Sequence, residues 1–108
     1  MAGPDAGVLE RLVARLVEAV HPLRVVLFGS AARGTMRADS DLDLLVVVPD
    51  GTHCRRTAQQ LYRDLAGIGV AKDIVVTTPE ILARNRDNRW LVYYHALREG
   101  RELYRAVA

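Results

Sequence analysis

The chain has 108 residues, 15 basic and 13 acidic side chains, a formal net charge of +2 and 50% hydrophobic residues. That balance excludes a disordered or fibrous chain and predicts one globular domain over residues 1–108, large enough to bury a core without disulfide or metal staples. Cys54 is the only cysteine, no apolar run approaches the ~20 residues of a membrane span, and the charges at Asp5, Glu10, Arg11, Arg15 and Glu18 are foreign to a signal peptide, so a reducing, cytoplasmic setting without membrane attachment is expected.

Asp5 is placed to cap a first helix. Leu9, Leu12, Val13, Leu16, Val17 and Val20 recur at helical spacing and give it one apolar stripe. His21-Pro22 stops that helix, because proline disfavours the helical conformation in the residue before it. Leu23 to Phe28 reads as a buried strand that enters a tight turn at Gly29-Ser30, and Ala31 to Gly34 reads as one or two helical turns. Leu42 to Val48 is almost continuous leucine and valine, the pattern of a strand covered on both faces. Pro49-Asp50-Gly51 ends it. A helix over about Thr57–Ala66 carries Leu61 and Leu65 on one face, with Gly67 and Gly69 closing it. A third strand runs from about Val70 to Val76, and Thr78-Pro79-Glu80 opens another helix, since proline suits the first turn. Trp90 to Leu97 is helical and Gly100 terminates it. The predicted order is α-β-α-β-α-β-α-α, a small α/β domain around a short sheet.

Most chemical information lies in Gly29-Ser30 and, after a ten-residue interval, Asp41-Leu42-Asp43. Alternate strand residues point to one face with Cα atoms about 6.5–7 Å apart, so Asp41 and Asp43 can converge on a shared ion while Leu42 and Leu44 face a core. Two like charges heading an apolar strand are costly unless a cation or solvent compensates them. Oxygen donors alone suit a hard cation such as Mg²⁺, held by a few carboxylates together with substrate phosphates. Asp73 opens the third strand, and if that strand lies beside the second, all three acids meet at one sheet edge. Gly29 allows a sharp turn and a close backbone approach. The N–H groups that follow it, with the Ser30 hydroxyl, favour phosphate. A phosphate seat beside a site for two metal ions is the apparatus of in-line phosphoryl or nucleotidyl transfer.

These residues resemble a known family. Leu27-Phe28-Gly29-Ser30-Ala31-Ala32-Arg33-Gly34 through Asp39-Ser40-Asp41-Leu42-Asp43-Leu44-Leu45-Val46 is similar to the minimal nucleotidyltransferases of the DNA polymerase β superfamily. Val70 to Thr77 is similar to the segment bearing that family's third acid, and Glu99 to Tyr104 to its usual ending. The resemblance covers most of the chain from Leu23 onward. It implies a small polymerase β-like nucleotidyltransferase fold, a short mixed sheet flanked by helices. It implies that Asp41 and Asp43 bind two Mg²⁺ ions and the nucleotide phosphates, that Asp73 binds one ion and helps activate the attacking hydroxyl, and that Gly29 and Ser30 hold the triphosphate of ATP. Free-standing members often pair with a HEPN ribonuclease in a toxin–antitoxin system and transfer AMP from ATP to a tyrosine of that toxin. A chain this size without an acceptor-binding module fits such an arrangement. Two other readings stay open: modification of a small molecule, and an antitoxin that neutralises its toxin by binding without catalysis.

The remaining candidates have plainer readings. Arg33 and Arg37 flank the phosphate seat and are candidates for neutralising triphosphate charge, although surface arginines are common. Ser40 is a turn residue. His21, His53 and His95 have no spacing that suggests a metal site or dyad, and nothing beside Cys54 marks it as a nucleophile. Trp90, Tyr93, Tyr94 and Leu97 form a stripe at helical spacing, chiefly core, whose exposed part would suit a partner. Arg84, Arg86 and Arg89 read as a solvated helix face. Lys72 is the only lysine, so arginine carries nearly all the basic charge; codon bias accounts for that, and a net +2 argues against direct nucleic-acid binding.

Overall fold

The computed structural model of the chain describes residues 5–34 and 41–107. Helix α1 (Ala6–Val20) starts where the Asp5 carboxylate accepts hydrogen bonds from the Gly7 and Val8 amides and ends at His21, which takes a left-handed conformation ahead of Pro22. Strand β1 (Arg24–Phe28) leads directly into α2 (Gly29–Arg33), a helix of only five residues. Strand β2 (Leu42–Val47) is followed by α3 (Cys54–Asp64), a 3-10 turn at Ala66–Ile68 and β3 (Lys72–Thr77). Helix α4 (Pro79–Arg84) has Thr78 as its cap and Pro79 in its first turn, and α5 (Val92–Glu99) precedes β4 (Arg101–Arg105). No helix of the described residues is long and apolar enough to cross a membrane.

The sheet order is β3-β2-β1-β4. Strand β1 is antiparallel to β2 and β4, whereas β2 and β3 are parallel, so the sheet is mixed as expected. Its two faces bury different clusters. Leu42, Leu44, Val46, Val25, Leu27, Ile74 and Val76 face α1 and α3, meeting Leu9, Leu12, Leu16, Leu61 and Leu65. Val26, Leu45 and Val47 face α5 and α4, with Ala96, Tyr93 and Leu82 packed on them. This double coverage explains why β2 lacks the polar alternation of a half-exposed strand.

Three expectations need correction. Strand β4 was not anticipated: it follows the last helix and closes the sheet beside β1. Arg101, Glu102 and Arg105 are exposed, so it lacks an apolar run, and charges of this kind are typical of a sheet edge. Helix α3 begins at Cys54 rather than Thr57, because His53 Nδ1 accepts from the Arg56 amide at 3.1 Å and caps it early. The stripe from Trp90 to Leu97 is not chiefly core. Trp90 is 94% exposed and Leu97 is exposed too, because Trp90 precedes the helix and the inward line runs through Tyr93 and Ala96.

Gly100 follows α5 where the chain passes close to β1. A Cβ there would run into the Ala96 carbonyl, the Val26 side chain and the Leu27 carbonyl. Backbone cannot yield as a flexible side chain can, so Gly100→Ala is expected to lose about 1–3 kcal/mol of stability in urea unfolding. Gly67→Ala, whose Cβ would meet nothing within 4 Å, serves as the near-neutral control.

Candidate active site

The site is built at one end of the sheet, where β1 finishes and β2 and β3 begin. In the parallel pairing, Asp43 stands opposite Asp73, and in the antiparallel pairing it stands opposite Phe28, the residue before Gly29. Neighbouring strands lie about 4.8 Å apart. The two carboxylates therefore leave adjacent strands side by side, next to the turn into α2. Asp43 lies in line with Leu45 and Val47, and Asp73 with Val75, so both acids belong to the face covered by α5 and α4. Asp41 stands one residue before β2, exposed, and the next amide, Leu42 N–H, donates to the Ala71 carbonyl at 2.9 Å. That bond ties the start of β2 to the start of β3.

The proximity has an electrostatic consequence. Burial pushes the Asp43 carboxyl above its ordinary value, the charges of Asp73 and Asp41 push it further, and the Arg33 guanidinium opposes them. Three of the charged residues singled out in the sequence, Asp73, Asp41 and Arg33, thus act on one carboxylate. Arg33, at the end of α2, also stands 3.9 Å from Glu99 of α5 in an exposed pair that contributes little to stability. Arg37 lies outside the described residues, as does Ser40.

Gly29 adopts φ +73°, a left-handed conformation that L side chains rarely take. It has a second reason to be glycine: a Cβ there would collide with the Asp43 carboxylate. The turn thus brings backbone against an acid with no side chain between them. Ser30 follows directly within α2. Five residues make a weak helix dipole, so attraction for an anion at this turn would rest on local N–H groups and the Ser30 hydroxyl rather than on the helix as a whole.

Among the described residues no three His, Cys, Asp or Glu side chains close into a preformed metal cage. A hard cation takes a few protein oxygens and completes its shell with water and phosphate, and the donors here are carboxylate oxygens only. The donor set, all carboxylate and mutually repelling, fits Mg²⁺ on those grounds. The histidines stand apart from this chemistry: His53 caps α3, His21 ends α1, and His95 Nε2 meets the Arg89 carbonyl at 3.1 Å.

One side chain at the site escaped the sequence reading. Tyr62 of α3 donates its hydroxyl to Asp73 Oδ1 at 3.2 Å and accepts from the Ile74 amide at 2.9 Å. Nothing local marks it, because the contact depends on how α3 lies along β3.

A model of the nucleotidyltransferase domain family matches residues 9–101. No curated protein matches the sequence. Among solved structures, a Sulfolobus solfataricus protein assigned to the nucleotidyltransferases superposes with a TM-score of 0.63 at 19% identity, over 92% of this chain and 78% of that one. A mutant of the toxin–antitoxin MntA-HpeT gives a TM-score of 0.67 at 16% identity, over 91% of this chain and 73% of that one. At such identities the likeness to these two is one of fold.

Two outcomes follow from the site's geometry. A carboxyl raised in the folded state keeps its proton over a pH window where the unfolded chain has lost it, so stability falls as pH rises through that window. Metal-free Asp43→Asn is therefore expected to melt above the wild type at neutral pH, an advantage that vanishes below the carboxylate range. Gly29→Ala is expected to cost roughly 1–3 kcal/mol through backbone strain alone. Part of its total loss should be recovered in the double variant with Asp43→Gly, read as a coupling in a double-mutant cycle.

Proposed function

The chain belongs to the nucleotidyltransferase domain family, and on that premise we propose that it is a metal-dependent enzyme transferring AMP from ATP to a tyrosine of a HEPN toxin, acting in the cytoplasm as that toxin's antitoxin. The observation that carries the catalytic part is the register pairing Asp43 with Asp73 beside the Gly29 turn. Support for the toxin partner is the likeness in fold to a toxin–antitoxin component, together with the family resemblance read from the sequence. Residues 1–108 are taken as one nucleotidyltransferase domain that works with an acceptor supplied by another chain.

Gly29 and Ser30 receive the triphosphate, with Arg33 and Arg37 neutralising its charge. Asp41, Asp43 and Asp73 would hold Mg²⁺, which when bound would screen the carboxylates from one another and stabilise charge developing on the phosphates. In this reading the Asp73 carboxylate accepts the proton of the attacking hydroxyl. The acceptor oxygen forms a bond to the α-phosphorus as the bond to the bridging oxygen breaks, and pyrophosphate leaves. The Gly29 turn, free of side chain, admits the phosphates close to the backbone.

The test uses α-labelled ATP, Mg²⁺, the purified protein and a HEPN toxin partner, with wild type beside Asp41→Asn and Asp73→Asn. Label is expected on a tyrosine of the partner with wild type. Asp73→Asn is expected to slow transfer by about 10²–10⁴-fold, the usual range for a lost proton acceptor, and Asp41→Asn to abolish detectable transfer. Triphosphate consumed only when a small-molecule extract is added would instead assign a small-molecule acceptor. Neutralisation of the partner that survives both variants, with no label, would assign an antitoxin acting by binding.

A further inference from the structure

Asp73 does not stand alone at its strand end. Strand β3 is an edge of the sheet, and the side facing away from β2 carries backbone groups without a strand partner. The Ile74 amide on that strand donates to the Tyr62 hydroxyl at 2.9 Å. The same hydroxyl donates onward to Asp73 Oδ1 at 3.2 Å. Helix α3 packs on the opposite sheet face from the acids, sending Leu61 and Leu65 into the cluster with Ile74 and Val76. Tyr62, 43% exposed, therefore wraps the edge of β3 from one face to reach a carboxylate on the other. A hydroxyl has one proton to give, and here the backbone amide occupies the oxygen as acceptor and directs that proton at Asp73.

We infer that Tyr62 is a positioning residue for Asp73: its hydroxyl, oriented by the Ile74 amide, holds Oδ1 and leaves Oδ2 to the shared carboxylate site. The inference rests on the proposed role of Asp73 and adds the group that holds it. A carboxylate on an exposed strand end otherwise samples several rotamers, and repulsion from Asp43 on the next strand favours those that point away from it. Among the described residues the Tyr62 hydroxyl is the one donor that the Asp73 carboxylate has. The arrangement is that of an outer partner orienting a ligand, whose removal usually lowers metal affinity or activity 10–100-fold.

Tyr62→Phe keeps the ring and removes the hydroxyl. The experiment measures Mn²⁺ binding by electron paramagnetic resonance, with a non-hydrolysable ATP analogue present, for wild type, Tyr62→Phe and Asp73→Asn. Urea midpoints and the kcat and KM of nucleotide transfer are measured beside it. Weaker Mn²⁺ binding by about 10-fold or more in Tyr62→Phe, with kcat reduced and KM for ATP unchanged, is expected. A lower urea midpoint with unchanged Mn²⁺ affinity, while Asp73→Asn binds weakly, would overturn the inference and leave Tyr62 as a structural cap of the sheet edge. Wild-type affinity in Asp73→Asn would overturn the reading of Asp73 as a ligand, and the inference with it.

Discussion

Mutual repulsion among carboxylates at one end of the sheet is the interaction on which the rest of this molecule turns. The parallel register of β2 and β3 sets Asp43 beside Asp73, and the charge of Asp41 is felt at the same place. A fold stabilised by only some 5–15 kcal/mol does not keep such an arrangement for its own sake. The apolar sheet behind it supplies the rigidity. Leu42, Leu44, Leu45 and Val46 are fully buried, and helices on both faces hold them. The acids thus project from strands that have little freedom to splay apart.

The same constraint accounts for several smaller features. Gly29 suits glycine through its left-handed φ and because a Cβ there would meet the Asp43 carboxylate. The Leu42 amide, bonded to Ala71, ties together the two strand starts that carry acids. Arg33 places one positive charge where it moderates Asp43, and Tyr62 gives Asp73 a hydrogen bond from around the sheet edge. Arg33 and the Tyr62 hydroxyl reduce the cost of keeping the carboxylates together. Neither neutralises them, which leaves the site electrostatically suited to a cation and, through it, to phosphate.

Much of this was legible in the sequence because it is encoded locally. The covered strand at Leu42 to Val48, the stop at His21-Pro22, the cap at Thr78 and the glycine turn each depend on residues next to one another. The pairing of Asp73 with Asp43 was legible only conditionally, since periodicity shows that two strands exist but not that they are neighbours. Strand β4 escaped because an edge strand needs no apolar run, and Arg101, Glu102 and Arg105 resemble a solvated loop. The inward line of α5 is not legible from Trp90, which lies outside the helix. Tyr62 escaped for the deepest reason: its role arises from the way a helix lies along a strand, which no spacing along the chain records.

Crystals of the protein with Mn²⁺ and a non-hydrolysable ATP analogue, measured at the manganese absorption edge, test the central claim most directly. The account predicts anomalous density among Asp41, Asp43 and Asp73, with the analogue's phosphates against Gly29 and Ser30. Manganese and nucleotide bound together at another surface, with those three carboxylates left to solvent, would contradict it.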